Sequence, residues 1–429
     1  MNRTGHASAH RPALPIPPPL RGSEYGSFAY HTVTGRLPRI ARRVLAENDF
    51  PPQTVARLEQ LLDELPHGAV RPLQDGPTVD GAAWQVYVAP YVGQDWLAVP
   101  WFFAESYFYR RILEATGYFA PQGNHLFAGR DPFAPHKAQS LAGDWQEITE
   151  LAARLAGWRS PGGETAAERA PQWTPELRAR PLRELFLAAL WGNQGDLSMW
   201  PAGGEQPQRP AEEGAVLIDD TRAVVEHLEA ALARSAGAGT EIHLLVDNAA
   251  FELAGDLALG DFLLDAGVAA RVVFHLKAHP VFVSDALPAD VVALAGALAG
   301  GQTEPLRAWG RRIRDAFAAD RLLLETDYFW TSPLAAWKMP EALRRRLAAA
   351  DLVISKGDAN YRRLLGDRHW AYTAPFAAAV SYFPAPLLAL RTLKSEVIAG
   401  LEPQQVAALR RSDPGWLTGG RRGLIQFVG

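Results

Sequence analysis

Four segments of this chain place oxygen-rich or cationic side chains directly after apolar runs. In EIHLLVDNAAFELAGDLALGDFLL an apolar run leads into Asp247 and Asn248, and Phe251, Leu253, Leu257, Leu259, Phe262 and Leu263 follow at helical spacing. Oxygens at such a strand-to-helix corner serve either as a helix cap or as hard ligands for a divalent cation, and this segment alone leaves both readings open. Glu252, four residues past Asn248, either reaches back toward a bound metal or a substrate hydroxyl or is a solvated helix carboxylate. In VFVSDALPAD another apolar run ends at Asp285, which offers a third oxygen ligand. In DLVISKGDANYRR the corner holds Lys356, Gly357, Asp358, Ala359 and Asn360. A glycine for the tight turn, a helix N-terminus and a lysine form a phosphate cradle, although not the GxxxxGK[ST] loop. LLALRTLKSEV adds Arg391 and Lys394. His275 and His279 are four apart, which makes one face only on a helix, whereas their segment reads as strand and turn.

These corners require strands that share an edge. The short apolar runs 215–218, 241–246, 271–276, 321–325, 351–355 and 386–391 alternate with helical patterns, which predicts an α/β fold with a mostly parallel sheet covered on both faces. Such sheets bind ligands at the carboxyl ends of their strands. The expected edge therefore collects Asp219, Asp220 and Thr221, Asp247 and Asn248, Ser284 and Asp285, Thr326 and Asp327, Lys356 to Asn360, and Thr392 and Lys394.

Upstream, residues 54–65, 99–119 and 180–193 carry helical periodicity, and PAGGEQPQRPAEE at 201–213 is the best candidate linker. The expected division is a disordered Pro-rich arm over 1–30, a helical N-terminal domain over 31–205 and an α/β metal-binding catalytic domain over 206–429. Residues 371–390 are long enough to span a membrane, but Pro375, Pro384 and Pro386 interrupt them, so they read as a buried loop and strand. With no signal-like N-terminus and no cysteine, the cytoplasm is the expected location.

Composition narrows the chemistry. The 429 residues include no cysteine, which excludes disulfides, thiolate metal sites and cysteine nucleophiles and leaves oxygen or nitrogen ligands. A net charge of −4 leaves no electrostatic footprint for nucleic acid or an anionic membrane, so the expected partner is a small molecule. Of 43 basic residues only 5 are lysines, and two of these, Lys356 and Lys394, stand at predicted strand ends.

Together VDNAAFELAGDLALGDFLL, FVSDALPAD, VISKGDANYR, RTLKSEV, AESYFYRRI (Ala104 to Ile112) and LWGNQGDLS (Leu190 to Ser198) resemble the damage-control phosphatase family, whose members include proteins described as acidic-residue or protein-glutamate O-methyltransferases. The chain is most similar to the subfamily with an RTxK motif, here Arg391, Thr392 and Lys394, and the likeness runs from about residue 25 to 400. It departs at Ala250, where the family form DNAGFE has glycine. The resemblance implies a helical N-terminal part before a three-layer α/β/α sandwich. It implies a divalent metal (Mn, Co, Ni or Mg) on Asp247, Asn248 and Asp285, and substrate contacts from Glu252, the 356–360 segment, Arg391 and Lys394. Glu105 and Asn193 lie in motif segments, either lining the pocket or serving as structural hydrogen-bonding residues.

The implied reaction is metal-dependent hydrolysis of small phosphate monoesters: sugar phosphates such as fructose 1-phosphate, and damaged phosphometabolites. Uncatalysed, this reaction faces a barrier that a catalyst must lower by well over ~20 kcal/mol, which calls for a metal together with fixed cations. Attack by water and attack by an aspartate, Asp247 or Asp285, both remain open as routes. The alternative is an S-adenosylmethionine-dependent carboxyl methyltransferase. Against it, VLIDDTRAVV and LLVDNAAFEL carry acids where a glycine-rich cofactor turn would stand. A non-catalytic scaffold built on the Trp84, Trp96 and Trp101 cluster is the third reading.

Overall fold

The computed structural model describes residues 10–121, 125–158, 173–192, 215–235 and 238–429. The predicted linker and Asn193 lie outside the described residues. Seven strands, β1 (Val216–Asp219), β2 (Thr240–Leu245), β3 (Ala269–Lys277), β4 (Leu322–Asp327), β5 (Leu352–Lys356), β6 (Leu387–Thr392) and β7 (Gly423–Val428), form one sheet in the order β1-β7-β6-β5-β2-β3-β4. The five strands β6-β5-β2-β3-β4 run parallel, as their continuous apolar runs predict.

β7 is absent from the six predicted strands, and it changes the edge. It pairs antiparallel with β6 and parallel with β1, so β1 runs against the other five. Asp219, Asp220 and Thr221 therefore lie at the opposite edge from Asp247, a correction to the expected convergence. GLIQFV is a short run, and only its pairing with two strands distant in sequence shows its role.

Both faces of the sheet are covered. Along β6, Leu387 and Ala389 pack into one core and Leu388 and Leu390 into the other, the two-residue alternation of a strand buried on both sides. The first core joins helices Leu37–Glu47, Pro52–Glu64 and Trp101–Thr116 to Val353, Tyr361 and Leu424. The second joins helices Trp145–Trp158 and Pro175–Trp191 to the helices Ala250–Asp265, Pro288–Ala299 and Glu304–Ala318. The helical half thus shares its cores with the sheet. Trp84, Trp96 and Trp101 are interior, and Trp96 stacks on Tyr107 with ring centroids 5.6 Å apart.

The disordered arm expected over 1–30 needs correction for residues 10–30. Leu20 is buried, Leu14 and Ile16 pack against the first core, and Pro19 pairs with Arg368. Apolar residues between the prolines supply the burial that holds this segment down. Among the described residues no helix is long and apolar enough to cross a membrane.

Candidate active site

Chain order reverses at β2: β3 lies on one side of it and β5 on the other. The crevice between the carboxyl ends of β2 and β5 is the switch point where open α/β sheets bind ligands. β2 delivers Asp247 and Asn248 to it, and β5 delivers Lys356 and Gly357. The loop after β3 closes the third side. Asn248 and Asp285 form an isolated antiparallel bridge, with the Ala249 N–H donating to the Ser284 carbonyl and the Ala286 N–H to the Asp247 carbonyl, both at 2.8 Å. To make that turn Phe282 and Val283 adopt φ of 50° and 70°. VFVSD therefore ends in a turn rather than a strand, which corrects the second apolar run to a loop.

Asp247 and Asp285 are both enclosed, and Asp247 Oδ1 accepts no hydrogen bond. Asp285 Oδ2 lies 3.1 Å from the Lys277 ammonium. Burial raises the Asp247 carboxyl well above its ordinary range, and the charges of Asp285 and Glu252 push the same way. Asp285 is also raised, by burial, against the pull of Lys277. Two desolvated carboxylates held together in this way favour a cation between them. With the Asn248 amide oxygen, which accepts from Ser284 Oγ at 2.6 Å, they form a hard-oxygen donor set that fits a divalent metal. Among the described residues no three His, Cys, Asp or Glu side chains converge on one point, so the amide is needed to complete the set.

The remaining predicted residues divide into two groups. Glu252 lies at the site, its Oε2 accepting from Asn248 Nδ2 at 3.0 Å. Gly357 is there too, at φ 80°, where an added methyl would stand 1.8 Å from Asp247 Oδ2. Lys356, expected to grip phosphate, is wholly buried and pairs instead with Glu252 at 3.1 Å and Asp256 at 2.8 Å. Burial opposes its charge, but the two carboxylates hold the ammonium above its usual pKa. Asp358 and Arg391, expected at the substrate, form a buried pair at 2.8 Å, and Arg391 also donates to the Ser395 and Val397 carbonyls. Burial raises Asp358, yet the nearby Arg391 and Arg362 charges leave it below the ordinary carboxylate value. Asn360 Nδ2 donates to the Leu245 and Lys356 carbonyls at 3.2 and 2.9 Å, tying the β2 and β5 ends together. These pairings have one cause: a charge or amide taken from water must find its partners inside the protein. Lys394 is half-buried just beyond β6. Glu105 is structural, pairing with Arg362 at 2.6 Å. His275 contacts His243 within the sheet at 3.0 Å, away from any ligand role.

Sequence reasoning does not find Lys277, Lys137 or Asp144. Lys277 ends β3 and donates to the Val246 carbonyl at 3.0 Å as well as meeting Asp285. Lysine scarcity marks it as strongly as it marks Lys356. Lys137 lies on the helix Ala134–Gly143, buried and 2.8 Å from both Asp131 and Asp290. Together with Ser140, Asp144, Asn248, Glu252 and Ser284 it lines a small cleft at the site. Burial pushes the Asp144 carboxyl up to about 6, against the Phe251 N–H that donates to it at 3.3 Å.

A mostly parallel sheet whose switch point holds two enclosed acids beside a small polar cleft has the layout of an α/β enzyme. Residues 32–409 match the damage-control phosphatase ARMT1-like domain, and the chain belongs to that family. Damage-control phosphatase ARMT1 of zebrafish (Danio rerio) is 32% identical over 450 residues, covering 96% of this chain and 97% of its own. Its human (Homo sapiens) counterpart is 30% identical over 460 residues, covering 96% and 99%. A solved DUF89 family protein from Pyrococcus horikoshii aligns over 92% of this chain and 97% of its own, at TM-score 0.44 and 13% identity. The chain is thus a phosphatase, a hydrolase.

Proposed function

We propose that the chain is a cytoplasmic, divalent-metal-dependent phosphomonoesterase acting on small sugar phosphates, fructose 1-phosphate among them, and on damaged phosphometabolites. The observation that carries this reading is the enclosed pair Asp247 and Asp285, with Asp247 Oδ1 accepting no hydrogen bond and Asp285 Oδ2 meeting the Lys277 ammonium. Asp247, Asn248 and Asp285 would hold the ion, with Mn²⁺, Co²⁺, Ni²⁺ and Mg²⁺ as candidates. When bound, the metal supplies Lewis-acid charge to the phosphoryl oxygens and makes water nucleophilic at neutral pH. The protein's own part is positional. Glu252, held between Asn248 and Lys356, presents an acceptor edge for a substrate hydroxyl. Lys137 and Ser140 face the cleft where the phosphate would sit, and Lys394 stands beyond β6 as a second cation. Lys277 orients Asp285, while Arg391, Asp358 and Asn360 hold the corners rigid.

Chelator-stripped protein should hydrolyse p-nitrophenyl phosphate and fructose 1-phosphate only after one of these metals is restored. Asp247→Ala and Asp285→Ala should each lower kcat by about a thousandfold or more, roughly 4 kcal/mol, with unchanged circular dichroism. Metal-independent turnover, or activity surviving both substitutions, would overturn the assignment.

A further inference from the structure

A second cleft lies at the other end of the helix Gly357–Leu364. Its volume is about 290 Å³, and its walls include Tyr87, Tyr91, Phe102, Trp337, Lys338 and Arg363. It shares no lining residue with the cleft at Asn248 and Ser284. Gly357 touches the acid site, while Arg363 is six residues further along the helix, about 9 Å by the axial rise.

Most of the enclosed arginines meet carboxylates. Arg110 meets Asp75 and Asp80, Arg111 meets Glu64 and Glu114, Arg362 meets Glu105 and Asp367, and Arg391 meets Asp358. Arg363 is only 2% exposed and forms no ion pair among the described residues. Its Nη atoms donate to the Leu334 and Trp330 carbonyls at 2.7 and 2.9 Å, and its Nε has no hydrogen-bond acceptor. Burial pulls its pKa down to about 9, against the opposing charge of Asp285. A buried cation without a carboxylate in direct contact is costly, so its position on a cleft wall requires an explanation.

The cleft supplies one. Phe102 stacks against the guanidinium at 5.0 Å, and Tyr87, Tyr91 and Trp337 offer further ring surface. Lys338 is exposed at the rim and adds a second positive charge. The nearest acid on the wall, Asp367, is committed to Arg362 at 2.7 Å. We propose that this cleft binds an organic anion carrying a planar ring, its acid group compensating Arg363 and its ring lying among the aromatic side chains. The combination of a planar fork donor with aromatic walls suits a ring-bearing carboxylate, sulfonate or phosphate.

The test uses the full chain and naphthalene-2-sulfonate, a ring-bearing anion that carries no phosphate to be hydrolysed. Titration followed by tryptophan fluorescence and by calorimetry should give one-site binding. Val86→Glu places a carboxylate on the lining at a position 70% exposed, so it leaves folding intact. It should weaken binding at least tenfold and leave p-nitrophenyl phosphate turnover unchanged. Arg363→Met should weaken binding by a similar factor. Asp247→Asn, at the separate acid site, should not change it. No binding to the wild-type chain at millimolar probe, equal affinity in Val86→Glu, or loss of binding in Asp247→Asn would each overturn the proposal. The last result would also place the probe in the phosphatase site, so the two readings fail separately.

Discussion

Ala250 sits at φ 57°, immediately before Phe251 in the first turn of the helix that follows the metal-type corner. The family form has glycine here, and the backbone shows why: a Cβ in the left-handed region costs about 1–2 kcal/mol. Ala250→Gly should relieve that strain against a smaller entropic cost, raising stability by roughly 0.5–1 kcal/mol. Urea denaturation checks it, and a destabilised variant would show that the turn is not strained. Asp144 gives a pH prediction. Its folded pKa of about 6 exceeds the ordinary 3.8, so the fold favours the protonated form. That contribution to stability is complete below about pH 4 and lost as pH rises through about 6. Asp144→Asn should match the wild-type Tm near pH 4 and exceed it near pH 7.5. Equal Tm values across the range would show that the carboxylate is not disfavoured. At this scale the sequence was legible for corner residues and illegible for partners. The acid after β2 and the glycine after β5 read directly from local pattern. That Lys356 would choose Glu252 and Asp256 did not, because those carboxylates stand about a hundred residues away in the chain.

Elements set the geometry that single residues use. β2 and β5 are neighbours, with Leu245 registered on Ser355, and this puts the next residues of each strand within reach of one another. The closeness is extreme at Gly357, where φ 80° and the 1.8 Å gap to Asp247 Oδ2 both exclude a side chain. Gly357→Ala should displace the Asp247 carboxylate, lower stability by about 2 kcal/mol or more and remove activity, as thermal melts and phosphatase assays would show. Retained activity would mean that Asp247 tolerates a large shift. Strand positions followed from their apolar runs, since a strand buried on both faces needs no long-range information to be recognised. The turn at Phe282 and Val283 did not follow, because the left-handed backbone there is held by residues distant in the chain, through the bridge to Asn248 and the packing of Phe282 on Phe102 and Tyr109.

On the scale of the molecule, the helical half and the α/β half fold against each other. Phe108, in the helix Trp101–Thr116, shares a core with Val353 and Leu424, and Leu185, in the helix Pro175–Trp191, shares the other with Leu257 and Ile354. Thermal unfolding should therefore be a single transition. Phe108→Ala and Leu185→Ala should each move that one transition down, by about 3–5 and 2–5 kcal/mol. Two resolved transitions, with each substitution shifting only its own, would show independent domains.

By itself the sequence determined an α/β fold, six of its strands, the acids at the corners after β2 and β3 and the kinship with damage-control phosphatases. These depend on hydrophobic period, turn residues and motif spacing, all of which are local. Tertiary structure alone decided that β7 enters between β1 and β6, that β1 therefore runs backwards, and that Lys356 and Arg391 are neutralised in the interior while Lys137 lines the cleft. It also left Arg363 without an ion pair among the described residues. Strand pairing and the pairing of buried charges join residues far apart in the chain, and a buried charge is compensated only by what the fold places beside it.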